Sequence, residues 1–107
     1  MQAQSINELF WQGNAAQAAG DDAIAEAIFR HGLRRDPDNA DADNKLGKPL
    51  ADQEQYEEAE AAYREALQLA PDHAAAYSNL RQALWKQGRY ATAKVVDRVP
   101  LEPFAHL

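Results

Sequence analysis

Residues 46–72 read LGKPLADQEQYEEAEAAYREALQLAPD, and this stretch carries a pattern that recurs along the chain. Gly47, Ala59, Tyr63 and Pro71 have counterparts 34 positions earlier, namely Gly13, Ala25, Phe29 and Pro37. Ala93 continues the alanine series 34 positions later. A fixed period of this length is typical of helical pairs that stack side by side.

The period divides the chain into three units, at about residues 6–39, 40–73 and 74–107, within one domain spanning 1–107. Each unit is predicted to form two helices, because apolar residues at one-face spacing are bounded by Gly, Pro, Asp and Asn. Ser5 and Glu8 form a capping box before the first helix. The predicted helices cover residues 6–18, 22–35, 40–52, 56–69, 74–86 and 90–98.

The third unit departs from the pattern, mainly in its second helix. Arg81 replaces the glycine of the other two units, and Asp97 replaces the aromatic residue held by Phe29 and Tyr63. Pro100 ends the helix early, since proline cannot continue it. We therefore expect a short last helix, about 90–98, followed by an irregular tail.

Composition excludes several classes of protein. The formal net charge of -6 and the pI of about 4.9 argue against a nucleic-acid partner, which needs clustered Lys and Arg. With no cysteine, disulfide and thiolate chemistry are excluded. No apolar run is long enough for a membrane span, and the N-terminus lacks the pattern of a secretory signal. A cytoplasmic protein that is not inserted in a membrane is expected.

The recurring residues resemble the tetratricopeptide repeat family, and the match covers essentially the whole chain. The matching positions are Leu46, Gly47, Leu50, Tyr56, Ala59, Tyr63, Ala66 and Pro71 in the second unit, Gly13, Ala25, Phe29 and Pro37 in the first, and Tyr77, Leu80, Leu84, Tyr90 and Ala93 in the third. The resemblance implies an all-α fold, a right-handed superhelical stack of three helix-turn-helix repeats of 34 residues whose last helix is short or degraded.

The resemblance also implies a concave groove, lined by the first helix of each repeat, that holds a peptide or protein segment. Lys48, Trp85 and Lys86 are the expected anchors, and Asn and Gln side chains are expected to bond a peptide backbone. The main predicted groove residues are Phe10, Asn14, Gln17, Asn44, Lys48, Ser78, Gln82, Trp85 and Lys86.

One family function can be compared residue by residue. Chaperone-binding members clamp a C-terminal carboxylate with Lys and Asn from the first repeat, Asn from the second, and Lys and Arg from the third. The five corresponding positions of this chain hold Phe10, Asn14, Lys45, Ala75 and Asn79, of which only Asn14 matches. The sequence therefore argues against that particular role.

Pro49 and Glu54 leave two alternatives for the second unit. Pro49 lies inside a predicted helix, where it costs about 3 kcal/mol if the helix stays straight. Glu54 stands at the turn position held by Gly20 and Gly88. In one alternative the helix is kinked and an ordinary turn follows. In the other, the first helix stops near Lys48, one long helix spans about 50–69, and two chains exchange elements around Pro49.

Self-association is the main alternative function. A repeat array without a terminal polar helix leaves an apolar face uncovered. Val96, Val99, Leu101 and Phe104 are expected either to cover that face or to dock on a neighbouring copy. The missing cap also fits a fragment of a longer repeat array.

No pattern in the chain predicts catalysis, a cofactor or a metal site. His31, His73 and His106 share no helical spacing, and the acidic turn after Pro37 lacks the glycine and glutamate of a calcium loop. There is no phosphate loop or nucleophile elbow. Trp11 is expected in the core or at an end face. The sequence thus predicts a non-enzymatic interaction scaffold.

Overall fold

The computed structural model of the protein describes residues 4–98, with side chains through residue 96. This part of the chain forms six helices and no strand. They are α1 (Ile6–Ala18), α2 (Asp22–Arg35), α3 (Ala40–Asp52), α4 (Tyr56–Leu69), α5 (Ala74–Lys86) and α6 (Tyr90–Arg98). All six predicted helices are confirmed, including the short last one.

The helices pack in chain order as three pairs. Within each repeat the two helices contact each other, and α2 and α4 each also contact the first helix of the following repeat. The helices α3 and α5 touch directly, so the first helices lie side by side along one face. The result is an elongated helical repeat stack of 52 × 27 × 17 Å, as the sequence predicted.

Glycine lets the two helices of a repeat cross closely. Phe29 and Tyr63 are almost completely buried. A Cβ atom placed on Gly13 would lie 2.6 Å from Cζ of Phe29, and one placed on Gly47 would lie 2.7 Å from Cδ1 of Tyr63. Since real Cβ contacts are longer than this, each ring occupies the space that a side chain on the glycine would need.

The turn of the second repeat has the same left-handed conformation as the other two. Glu54 has a φ of 62°, compared with 82° at Gly20 and 74° at Gly88. The chain therefore turns between α3 and α4 as it does in the other repeats. The alternative in which one long helix spans about 50–69 is wrong, because α3 runs on to Asp52 and a turn precedes Tyr56.

Pro49 is accommodated inside α3, where its side chain is fully buried. Gln53 caps the end of the helix with two hydrogen bonds to the Pro49 carbonyl oxygen. The backbone N–H of Gln53 donates to this oxygen at 3.1 Å, and Nε2 of Gln53 donates to it at 2.9 Å. Gln87 makes the corresponding side-chain bond to the Ala83 carbonyl at 3.2 Å. The C-terminal end of α3 therefore has the same hydrogen bonding as that of α5, despite the proline.

The same glutamines connect consecutive repeats. Nε2 of Gln53 donates to Glu26 in α2 at 2.9 Å, and Nε2 of Gln87 donates to Glu60 in α4 at 3.0 Å. Each glutamate also pairs with the arginine four residues later, Arg30 or Arg64, at 2.9 Å, because residues at this spacing are neighbours on a helix surface. Hydrogen bonds from Gln53 and then Arg30 hold the pKa of Glu26 below its usual value.

Side-chain capping agrees only in part with the sequence analysis. The capping box of Ser5 and Glu8 is present, with both hydrogen bonds formed. Asp21 stands at the start of α2 but its side chain makes no capping bond. Asn39 and His73 instead cap α3 and α5 by accepting from backbone N–H groups three residues on. These two caps lie at equivalent positions, 34 residues apart.

Asp43 is the one buried charged residue in the described part of the chain, at 6% exposure. Leu9 and Tyr77 occupy the equivalent positions of the other repeats. The Oδ2 atom of Asp43 makes no hydrogen bond within residues 4–98. Burial, and then repulsion from Glu65, raises the pKa of Asp43 to about 6. A buried carboxylate without partners costs stability.

We expect Asp43 to make the protein less stable as the pH rises from about 4 to about 6. The folded state holds this proton more tightly than the unfolded state, whose pKa is near 3.8, so stability is lost on deprotonation. The effect should be on the order of 2 kcal/mol. Urea unfolding of the wild type and of Asp43→Asn across this range measures it. Parallel pH profiles for the two proteins would contradict the assignment.

Two glycine substitutions should have opposite effects. Gly47→Ala should lower the free energy of unfolding by about 1–3 kcal/mol, because the new methyl group overlaps the buried ring of Tyr63. Gly32→Ala is the matched control: its Cβ would lie 3.7 Å from Cε1 of Phe10, an ordinary contact. It should raise stability by up to about 1 kcal/mol through helix propensity. Equal effects in urea titrations would refute the close-crossing explanation.

Glu54→Gly should stabilise the protein by about 1 kcal/mol, because glycine adopts a positive φ without the steric cost that other residues meet. Gly88→Ala places a side chain in the same conformation and should destabilise the protein by a similar amount. Thermal unfolding by circular dichroism compares the two. A lower melting temperature for Glu54→Gly would show that the Glu54 side chain contributes more than its backbone costs.

Candidate functional site

Two adjoining clefts lie on the face formed by the first helices. One, of about 300 Å³, is lined by Asn14, Gln17, Phe29, Asn44, Lys45, Lys48 and Asn79. The other, of about 370 Å³, is lined by Lys48, Ala51, Asp52, Glu54, Tyr56, Tyr63, Asn79, Gln82, Ala83 and Lys86. Because Lys48 and Asn79 line both, the clefts form one continuous surface, which we call the inner groove.

Polar side chains bridge neighbouring helices across the inner groove. Nζ of Lys45 donates to Oδ1 of Asn14 at 3.4 Å, and Nδ2 of Asn79 donates to Oδ1 of Asn44 at 3.0 Å. Nε2 of Gln17 donates to Oδ2 of Asp52 at 2.5 Å. These bonds join α1 to α3 and α3 to α5. They order the side chains on the floor of the groove.

Three of the four lysines of the chain line the inner groove, although the chain as a whole is acidic. Lys48 pairs with Asp52 at 2.9 Å. Nζ of Lys45 lies 5.6 Å from the ring centroid of Phe10. Lys86 is exposed and makes no hydrogen bond or ion pair with any side chain or backbone group that the structure describes. Its charge is available to a ligand.

The structure places the predicted groove residues in different environments, and not all of them line the inner groove. Asn14, Gln17, Asn44, Lys48, Gln82 and Lys86 line the inner groove. Phe10 is half-buried and packs against the hydrophobic core below Lys45. Ser78 is half-buried and lines neither cleft. Trp85 is 52% exposed and packs against Tyr90 of α6, with ring centroids 4.5 Å apart and the ring planes inclined at 59°.

Of the two positions expected for Trp11, the core and an end face, the structure excludes the core. It is 73% exposed. Its position in the 34-residue period is that of Lys45 and Asn79, both of which line the inner groove. Trp11 therefore occupies the groove register on α1, at the N-terminal end of the row of first helices. The period alone contained this signal, since it aligns Trp11 with two groove positions.

Three residues at one turn line the inner groove but were not predicted from the sequence as groove residues. Asp52, Glu54 and Tyr56 line the larger cleft at the turn between α3 and α4. The sequence pattern indicated only where one helix ends and the next begins. Side chains at a turn follow no helical register, so the pattern did not assign them to the groove. Their position depends on the left-handed backbone at Glu54.

The stack of helical pairs and a sequence match together assign the chain to a family. A family model described as tetratricopeptide repeat matches residues 50–102, which include α4, α5 and α6. The chain belongs to the tetratricopeptide repeat family. The first repeat lies outside the matched residues, but its helices and its Gly13–Phe29 contact have the same form as those of the second repeat.

Solved tetratricopeptide repeat structures share the fold. The Sgt2 domain from Aspergillus fumigatus is 23% identical, with a TM-score of 0.84 over 88% of this chain and 62% of that one. The second such domain of Spaghetti (RPAP3), bound to the HSP90 peptide SRMEEVD, is 22% identical, with a TM-score of 0.83 over 88% of this chain and 87% of that one.

MamA (AMB-1) also has this fold, at 17% identity and a TM-score of 0.79 over 89% of this chain and 56% of the other. The chain therefore spans less than two thirds of both the Sgt2 and the MamA structures. None of the curated proteins matches it in sequence. Likeness at these identities establishes the fold.

The predicted self-association residues lie in different environments. Pro49 is buried inside α3. Val96 is half-buried against the core, beside Val95, which is 57% exposed. Both valines line a cleft of about 460 Å³ on the opposite side of α5, with Leu67, Tyr77 and Leu80. Val99, Leu101 and Phe104 lie outside the described residues.

None of the helices in the described part is both long and apolar enough to cross a membrane.

Proposed function

We propose that the inner groove binds a segment of another protein, and that the domain acts by binding and not by catalysis. The observation that carries this proposal is the unpaired Lys86 in a continuous groove that also contains ordered Asn and Gln side chains. We also propose that residues 1–107 act as one three-repeat domain.

The chemistry of the groove suits an extended peptide with an acidic residue. Asn44, Asn79 and Gln82 carry both donors and acceptors that can bond a peptide backbone. Lys86 offers a free ammonium group to a carboxylate, while the neighbouring Lys48 is already paired with Asp52. A charge-assisted hydrogen bond of this kind is stronger than a neutral one.

Exposed tryptophans at the two ends of the row of first helices supply apolar anchors. Trp11 and Trp85 retain 73% and 52% exposure, on α1 and α5. Tryptophan is among the residues most enriched at the energetic centre of protein interfaces. A ligand that spans the groove would contact aromatic surface at both ends and polar groups between them.

The ligand is proposed to differ from a chaperone C-terminal peptide. The RPAP3 domain with the same fold is bound to an HSP90 peptide, so the fold is compatible with peptide ligands. In this chain the clamp positions include Phe10, which packs on the core, and Ala75, which has no polar group. Asn14, Lys45 and Asn79 are already bonded to groove side chains.

A second candidate function is self-association through the cleft that contains Val95 and Val96. The observation that favours it is the 57% exposure of Val95 beside the apolar side chains of Leu67 and Leu80. In that case Val95→Glu would abolish self-association and leave ligand binding at the inner groove unchanged.

Selection from a displayed random-peptide library, followed by titration calorimetry, tests groove binding. Lys86→Glu should weaken binding of the selected peptides at least about tenfold, because it reverses the free charge in the groove. Lys94→Glu is the matched control, since Lys94 is the one lysine outside the groove and is also exposed. It should change the affinity less than about twofold.

Trp85→Ala should also weaken binding, and the fluorescence of Trp85 should change on titration. Circular dichroism of each variant checks that the fold is retained. Equal loss of affinity in Lys86→Glu and Lys94→Glu would indicate a nonspecific charge effect and refute the proposed site. Failure to select any peptide that competes for the groove would refute peptide binding there.

A further inference from the structure

The outer face of α2 carries apolar residues that no helix in the described part of the chain covers. Ile24 is 55% exposed, Ala23 and Ala27 are exposed, and Ile28 is half-buried. These residues border a shallow cleft of about 380 Å³ that extends to Leu9 and His31. We call this surface the α2 face. It lies in the first repeat, at the end of the stack opposite to α6.

The equivalent surfaces of the second and third repeats can be compared with the α2 face. The residues equivalent to Ile24 and Ile28 are Glu58 and Ala62 in the second repeat, where Glu58 lies 3.5 Å from Arg30 of the preceding helix α2. In the third repeat the equivalent cleft includes Leu67, from the preceding helix α4. In the second repeat Ala62 is buried while Glu58 remains exposed, so a helix of the previous repeat lies beside part of this surface and leaves the rest open.

The first repeat has a more apolar surface at these positions but no preceding repeat in the described structure. It carries isoleucine where the second repeat carries glutamate. An uncovered surface of this composition is typical of a contact between proteins.

We propose that the α2 face pairs with the α2 face of a second copy of this chain, with the two helices antiparallel about a two-fold axis. Ile24, Ile28, His31 and Arg35 are spaced four, three and four residues apart, so they share one side of α2. Asp21 precedes Ile24 by three residues at the start of the same side. The two ends of the face therefore carry opposite charges.

Charge complementarity selects the antiparallel orientation. When the helices run in opposite directions about a centre near Ile28, Asp21 faces Arg35 of the partner subunit, and the same contact forms again at the other end. A parallel arrangement would place like charges together. The Nη1 atom of Arg35 donates to the Gln4 carbonyl, which helps to hold this side chain at the end of the face. A self-complementary surface of this kind produces a closed dimer.

The dimer should be weak. One helix face buries less area than a standard stable interface, so association in the range of about 10–100 µM is expected. This surface is separate from the inner groove, and the inference does not depend on the proposed peptide binding.

Sedimentation velocity from about 5 to about 500 µM tests the proposal. The wild type should pass from monomer to dimer, and Ile24→Glu, which introduces the residue of the second repeat, should weaken dimerisation at least about tenfold. Leu69→Glu is the matched control, since it introduces the same charge at an exposed leucine of α4, and it should dimerise like the wild type. Circular dichroism checks that both variants fold.

Charge exchange tests the orientation and does not depend on an apolar substitution. Asp21→Arg and Arg35→Asp should each weaken the homodimer, because like charges then meet at both ends. Mixing the two variants should restore dimers at close to the wild-type affinity, since each mixed pair places opposite charges together. If mixing fails to restore dimers, the antiparallel pairing is wrong.

Two further outcomes would overturn the proposal as a whole. A wild type that remains monomeric up to about 500 µM would exclude a dimer of the expected strength. Loss of dimerisation in Val95→Glu but not in Ile24→Glu would place the contact at the other end of the stack.

Discussion

The close crossing of the two helices within a repeat is the contact on which the rest of the structure depends. Phe29 and Tyr63 occupy the space above Gly13 and Gly47 that any side chain would fill. Because the helices approach this closely, small alanines suffice to complete the buried core between them. The third repeat has neither the glycine nor the aromatic residue, and its second helix is also the shortest.

Hydrogen bonds carry this geometry from one repeat to the next. Gln53 and Gln87 bind the glutamates of the preceding repeats and, at the same time, the carbonyls near the ends of their own helices. This double attachment sets the first helices side by side and so forms the inner groove. The series stops at both ends, where Ala19 stands at the glutamine position and Lys94 at the glutamate position. These are also the ends where Ile24 and Val95 are exposed.

The middle repeat contains the three residues that least suit their places, Asp43, Pro49 and Glu54. The first is a buried carboxyl group, the second interrupts a helix, and the third has a backbone conformation that favours glycine. The middle repeat is also the one with a neighbour on each side, so its conformation is determined by packing against both. Local preferences are weak compared with such tertiary contacts. This explains why the alternative of one long helix over about 50–69 does not form.

The sequence by itself determined the six helices and the 34-residue period, because each depends on residues close together in the chain or on a repeat that aligns them. The contacts of Gly13 with Phe29 and of Gly47 with Tyr63 came from the structure. Of the nine main groove residues that the sequence predicted, six line the two clefts of the inner groove. Only the tertiary structure showed that Phe10 packs inward and that Trp11 is exposed. Within residues 4–98 it also showed that Oδ2 of Asp43 is buried without a hydrogen-bond partner and that the ammonium group of Lys86 is unpaired. These properties are set by side chains about one repeat away in the sequence, and neither helix propensity nor periodicity specifies how those side chains pair.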